Sequence, residues 1–289
     1  MKKLIQIFSI LLLICTFSTG CLKKDNLEGI EIVTTAYPYE YIADYLYGEH
    51  SLVTSIYPDG TDIQNHDLSS KSLDDYSKKE LFIYSGTGND KDLALKLLER
   101  NKNLMIIDAT SGIETTYGEE ELWLNPSNLL MVCQNIKNGL NQYIRNNYLK
   151  KEIEEAYNQI KIDLSELDAE IKLTAQNATR NTIVVNSDSL LFLEKYGFNV
   201  ISLDDQTNSV TEKRISDVRD MIQKGEVKHL FLLDKTDSND IVKKIIKETG
   251  VATLTYKRLD NMTDAERDND ENYITLMNDN IDLLRSELY

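Results

Sequence analysis

The chain has 289 residues, with 48 acidic against 32 basic side chains, a formal charge of −16, three cysteines and three prolines. Charged residues at 28% and hydrophobic residues at 41% describe a globular chain long enough for one large core or two domains, and exclude a disordered or collagen-like one. The acidic excess, with no basic patch interleaved with aromatics to reverse it, also excludes nucleic acid as a partner.

Lys2 and Lys3 precede an apolar run over residues 4–17 in which only Gln6, Ser9 and Thr16 are polar. As a helix this run rises about 21 Å, short of the roughly 30 Å hydrocarbon core of a bilayer, so residues 1–20 are expected to be an export signal and not a span. Ser18, Thr19 and Gly20 lead into Cys21, and the stretch resembles the lipobox of bacterial lipoproteins, although Ser18 stands where that pattern usually carries leucine. The resemblance implies that Cys21 is lipidated, becomes the first mature residue and anchors the protein outside the cytoplasm on the cell membrane. Residues 21–29 then form a short polar tether. Loss of Lys2 and Lys3 takes the mature charge to about −18. With Cys21 carrying lipid, Cys133 has no intrachain partner, so the fold must hold without a disulfide. Met131 and Val132 beside it predict a buried, inert thiol.

The mature chain opens with a predicted strand over residues 30–35 that runs into a helix near Pro38. A strand over residues 52–57, a short helix over 72–77, a strand over 81–84, a helix over 90–100 and a strand over 104–107 follow. Asn125 followed by Pro126 starts a helix that runs to about residue 145. From near Leu149, the residues Ile153, Tyr157, Ile160, Leu164, Leu167 and Ile171 recur at spacings of four and three, which predicts one long helix with a continuous apolar stripe. Such a stripe also suits a coiled-coil dimer, but under three heptads is short for one, and a helix lying across both halves of a monomer is expected. Alternation then resumes. Strands are predicted over residues 182–185, 200–203, 230–233 and 252–255, and helices over 190–196, 212–224, 239–248 and 271–288. The fold class is therefore α/β: two lobes, each a mostly parallel sheet flanked by helices, bridged by one long rigid helix. The expected divisions are residues 30–146 for the first lobe, 147–177 for the bridge and 178–289 for the second lobe.

In open α/β sheets ligands sit beyond the carboxyl ends of the strands, so the loops after Tyr57, Gly86, Asp108, Asn186, Asp234 and Tyr256 are the places to expect a site. Residues 33–38, 57–62 and 81–86, then Leu122-Trp123-Leu124-Asn125-Pro126, Tyr196-Gly197-Phe198 and the final helix, resemble the metal-binding lipoproteins of bacterial ABC importers for zinc and manganese. The likeness covers essentially the whole mature chain. It implies two lobes clamped about one divalent ion, with ligands at four places. The family pattern Gly-Thr-Asp-Pro-His-x-Tyr-Glu falls on residues 60–67 and puts Gln64 at the first ligand position, with His66 two residues on as a replacement, since period two can turn both toward one cleft. The second position, two residues before Trp123, is Glu121; the run 119–121 is otherwise a solvated acidic loop. The third falls on Asn186, with Asp188 as its competitor, and the fourth on Asp260, where the family's residue type is retained.

That set is rich in oxygen and poor in imidazole, which favours a harder ion such as manganese; admitting His66 makes zinc credible as well. His229, in an apolar strand, is expected to be structural. No Gly-x-Ser-x-Gly elbow, His-Glu-x-x-His pair or Gly-x-x-x-x-Gly-Lys-Ser/Thr loop occurs, so no enzyme activity is expected. The resemblance implies a monomeric solute-binding lipoprotein that captures zinc or manganese as transported solute and delivers it to a membrane ABC permease. The alternative is a member of the same fold whose site has degenerated and which binds a protein or another small solute at the cell surface.

Overall fold

The structure, a computed structural model, describes residues 27–63, 65–206, 210–234 and 239–289. The export signal, Cys21 and Gln64 lie outside the described residues. In the first lobe β1 (Ile30–Thr34), β2 (Ser51–Ser55), β3 (Leu81–Tyr84) and β4 (Met105–Asp108) form a parallel sheet in the order β2-β1-β3-β4. The second lobe repeats this order with β5 (Thr182–Val185), β6 (Asn199–Ser202), β7 (His229–Leu233) and β8 (Ala252–Tyr256), arranged β6-β5-β7-β8. Ile32 pairs with Val53 on one side and Leu81 on the other, and Val185 pairs with Ser202 and Phe231.

Side chains on a strand alternate between faces, and here the two faces go to different cores. Ile32 and Ile83 of the first sheet, with Ile183 and Val185 of the second, enter one hydrophobic cluster shared by both lobes. Val33 and Phe82 face a smaller cluster on the far side of the first sheet, and Val184 and Leu230 face another beyond the second. The lobes are therefore fused through their inner faces, and each carries its own outer layer of helices.

Helix α1 (Tyr37–Tyr47) follows β1 and carries Pro38 in its first turn, where a missing N–H costs nothing. Helices α2 (Ser70–Tyr76) and α3 (Asp90–Arg100) flank β3, and the short α4 (Glu121–Leu124) precedes α5 (Pro126–Tyr143). Asn125 caps α5 by accepting from the backbone N–H of Ser127 at 3.3 Å. Helix α6 (Asn147–Asn177) is the long bridge, about 46 Å over 31 residues. Its stripe of Leu149, Ile153, Ile160, Leu164, Leu167 and Ile171 is buried in the shared core of its own chain. Hydrogen bonds fasten its start and middle to the first lobe, through His50 on Glu152 at 2.8 Å and the Tyr45 hydroxyl on Asp163 at 3.3 Å. Its last third is fastened to the second lobe, through the Tyr196 hydroxyl on Asp168 at 2.7 Å and Arg285 on Glu170.

The helix expected over residues 190–196 is instead a 3₁₀ segment, Asp188–Tyr196, ended by Gly197 at φ 102°. Tighter winding suits a short connector between adjacent strands. Helices α7 (Glu212–Gln223) and α8 (Asp240–Thr249) cover the second sheet, α9 (Asp264–Asp268) starts with a capping box, and α10 (Tyr273–Leu288) returns to the bridge. Cys133 is fully buried in α5, and burial pushes its thiol up to about 12. His229 Nδ1 lies 2.8 Å from Glu287, a buried carboxylate that also accepts the Lys228 N–H, so this histidine is a satisfied structural one.

Candidate functional site

Each sheet reverses its winding between its two inner strands, β1 and β3 in one lobe and β5 and β7 in the other, and a crevice opens beyond their carboxyl ends. Beyond the first sheet, Thr35, Tyr57, His66, Asp90, Glu119 and Trp123 line a cavity of about 580 Å³. Beyond the second, Asp62, Asp234, Arg258, Asp260 and Glu266 line one of about 300 Å³. A strap of hydrogen bonds joins the two regions. Gly60 donates to the Met262 carbonyl at 2.6 Å, Tyr37 to the Asp260 carbonyl at 2.9 Å, and the Asn261 amide to the carbonyls of Pro58 and Thr61 at 2.8 and 2.9 Å. Arg267 completes the strap, 2.8 Å from Glu40 and 3.0 Å from Asp59. Trp123, the one tryptophan in the sequence, donates its indole N–H to the Arg258 carbonyl at 2.8 Å, and its own carbonyl accepts from the Tyr273 hydroxyl at 2.5 Å.

In the first cavity His66 is exposed and meets the Tyr57 ring edge-on, with centroids 5.8 Å apart. Asp90, at the head of α3, accepts from the Ser85 N–H at 3.4 Å, and Glu119 accepts from the Thr87 hydroxyl at 3.4 Å. Burial raises the pKa of both acids, and the charges of Asp90 and Glu120 push Glu119 further up.

The glutamate run 119–121 is divided among three destinations. Glu119 turns into the first cavity, and Glu120 reaches across the lobes to accept from the Ser189 hydroxyl at 2.9 Å. Glu121, the residue expected as a ligand, turns back on its own loop and accepts from the backbone N–H groups of Thr116 and Tyr117 at 2.9 and 3.1 Å. Successive residues in a helical turn point about 100° apart, so three adjacent carboxylates cannot share one cleft. Gly118 precedes the run at φ 120°, and a side chain there would meet the Ser189 hydroxyl at 2.9 Å, so the run can approach the second lobe only from a glycine.

Asn186 is also committed. Its side-chain oxygen accepts from the Leu233 N–H at 2.7 Å, which extends the pairing of β5 with β7 one step beyond the strand end. Asp188 opens the 3₁₀ segment, where its N–H donates to Asp204 at 3.0 Å.

Asp260 does sit in the cleft. Burial lifts its pKa to about 6; the Arg258 guanidinium pulls it down, while the charges of Asp234 and of Glu120 from the opposite lobe push it up. Asp234 is raised too, first by burial, with Arg258 opposing and Glu266 and Asp62 adding. Asp234 and Leu259 both adopt left-handed backbone, at φ 60° and 62°; aspartate tolerates this conformation, but a bulky leucine rarely takes it. Such strain concentrates where a loop is shaped for a ligand and not for stability.

Among the described residues, no three His, Cys, Asp or Glu side chains are gathered closely enough to hold a metal ion. Asp260, Asp234 and Glu120 are the carboxylates whose charges meet in the cleft, and His66 stands apart in the neighbouring cavity. Counting from the strand ends points to the Asp234 loop, whereas Glu120 and Arg258 leave no signal in the sequence that separates them from their charged neighbours.

The family described as zinc-uptake complex component A, periplasmic (ZnuA), matches residues 32–287. The zinc-binding protein AdcA of Streptococcus pyogenes serotype M6 is 22% identical across 98% of this chain and 61% of its own length, so the chain spans about three-fifths of such relatives. The manganese-binding lipoprotein MntA of Halalkalibacterium halodurans is 24% identical across 100% of this chain and 99% of its own. Among solved structures, the Zn(II)-bound ZnuA-like domain of Streptococcus pneumoniae AdcA has a TM-score of 0.72 at 20% identity, covering 90% of this chain and 99% of that one. The metal-dependent lipoprotein YcdH from Bacillus subtilis has a TM-score of 0.74 at 18% identity, with coverage of 90% and 99%. At these identities the structures show that the two-lobed fold with its long helix is the same.

Proposed function

Since this chain belongs to the ZnuA family of periplasmic zinc-uptake components, we propose that it captures one divalent metal ion, zinc or manganese, in the cleft between its lobes and hands it to a membrane ABC permease. Export by residues 1–20 and lipid on Cys21 would hold it at the outer face of the cell membrane, in keeping with relatives named as lipoproteins. The function involves binding and release, with no covalent step. The observation that carries it is Asp260: a carboxylate at the family's fourth ligand position that lines the cavity with Asp234, is raised by burial, and feels the charges of Asp234 and of Glu120 from the other lobe. Desolvated, mutually repelling carboxylates are costly in themselves and are relieved by a bound cation. We assign Asp260 and Asp234 of the second lobe as the first donors to engage the ion, with Glu120 and the Gln64–His66 loop of the first lobe drawn in as it binds, since the described side chains among these are not gathered into one cluster beforehand. An oxygen-rich set of this kind suits manganese and accepts zinc when His66 joins. Relatives with zinc- and manganese-binding names favour this function over the degenerate-site alternative.

Titrating the mature protein with zinc and with manganese by calorimetry is expected to give saturable one-to-one heat. At a free ion concentration 100 times Kd, binding adds about 2.7 kcal/mol to stability, which moves the melting temperature by several degrees. No heat and no thermal shift with either ion would overturn the assignment. Glu121→Gln is expected to behave differently from the donors. It weakens two hydrogen bonds to a charged acceptor and costs about 1–2 kcal/mol of stability, while the calorimetric Kd stays at its wild-type value. A Kd weakened tenfold or more would return Glu121 to the donor set.

A further inference from the structure

Arg258 is buried to 7% exposure at the centre of the acidic cavity. Its Nε lies 3.6 Å from Asp234 and its Nη1 lies 3.9 Å from Asp260. At those lengths these two contacts are charge pairs and not directed hydrogen bonds. Lys257, the other cation lining the cavity among the described residues, is drawn aside by Glu266 at 3.2 Å and Asp279 at 3.1 Å. Among the described residues, the carboxylates facing this space are Asp62, Asp234, Asp260 and Glu266, with Glu120 acting on Asp260 from the other lobe. The positive charge set between Asp234 and Asp260 is thus a side chain of the protein itself. Its backbone is pinned, because the Arg258 carbonyl accepts the Trp123 indole N–H. Any change in where that charge sits must come from the long, rotatable side chain.

A guanidinium and a divalent ion compete for the same carboxylate oxygens, since both are recognised by charge and by oxygen lone pairs. We propose that Arg258 is an exchangeable internal counter-ion: an ion taken up at Asp260 displaces the guanidinium from it, and Arg258 thereby sets how tightly the cleft holds its cargo. The proposal rests on metal capture in this cleft and adds the residue that limits it. Exchange has a thermodynamic cost that a site without Arg258 would not carry, so affinity is lower than the carboxylates alone would give.

The test is the Kd for zinc and for manganese, by calorimetry on the mature chain, for wild type, Arg258→Gln and Arg258→Lys, each with its melting temperature to establish folding. Arg258→Gln removes the charge and is expected to tighten both ions at least tenfold; Arg258→Lys keeps the charge and should stay within about threefold of wild type. Wild type that binds, with Arg258→Gln equal or weaker, overturns the exchange while metal capture stands. Equal tightening in both variants also overturns it, because the effect would then be one of packing and not charge. Wild type that is silent beside an Arg258→Gln protein that binds would overturn both metal capture by the natural chain and the exchange, because the guanidinium would then block the site and not be displaced from it. Silence in all three proteins overturns both.

Discussion

Replacing Asp260 with asparagine is expected to have two opposite effects: a higher melting temperature at neutral pH, and loss of zinc and manganese binding. An unperturbed aspartate titrates near 3.9, and Asp260 titrates at about 6 because it is buried beside other acids. Between about pH 4 and 6 the folded protein therefore holds a proton that the unfolded chain has released. Stability falls as pH rises through that window, and the penalty is complete above it. A shift of about two units corresponds to roughly 3 kcal/mol at most. An asparagine amide beside Arg258 recovers part of this, about 1–3 kcal/mol, which is a few degrees in a chain of this length. Melts at pH 7.5 and pH 4 check the sign: the gain belongs to the higher pH and vanishes at the lower. A gain of equal size at both would place its origin outside the ionisation of Asp260. Removing the anionic donor should weaken both metals by more than roughly 100-fold, beyond what loss of a supporting hydrogen bond produces. A stable variant with intact Kd would remove Asp260 from the site.

The second large effect is expected from Ile160→Ala in the middle of the bridging helix. Ile160 is fully buried, and truncating such a residue typically costs 2–5 kcal/mol through lost transfer energy and the cavity left behind. Because the stripe on α6 packs into a core that holds Ile83 of one lobe and Ile183 of the other, the loss should be felt by both lobes at once. Urea unfolding followed by Trp123 fluorescence and by far-ultraviolet circular dichroism should give coincident single transitions, shifted together to lower denaturant. Two separated transitions, with only one of them moved, would show that the lobes unfold independently and that α6 belongs to one of them.

Most of the architecture was legible because it rests on local periodicities. The four-three spacing from Ile153 to Ile171 marks the bridge, and short apolar runs such as residues 81–84 and 182–185 mark buried parallel strands. The Asn125-Pro126 and Asn146 caps are equally local. The site was legible only in part. Asp260 could be placed by register with the final helix, but the fate of Glu121 depends on backbone N–H groups four and five residues earlier that only a folded loop presents. Asn186 is claimed by Leu233, 47 residues away across a sheet whose strand order is not written in the sequence. Arg258 reads on paper as one more surface cation in a charged loop. Its burial against Asp234 and Asp260 is a property of the folded cleft and of no pattern within the chain.

The three-way division of residues 119–121 makes the length of the loop before Trp123 a determinant of chemistry in its own right. Deleting one residue between Gly118 and Trp123 would turn each remaining carboxylate by about 100°, carrying a glutamate out of one role and into its neighbour's without altering any side chain's identity. Family members could thus exchange a loop brace for a cleft donor by insertion or deletion alone. Alignments that tolerate gaps freely at this point would hide the change, and comparisons anchored on the tryptophan would expose it.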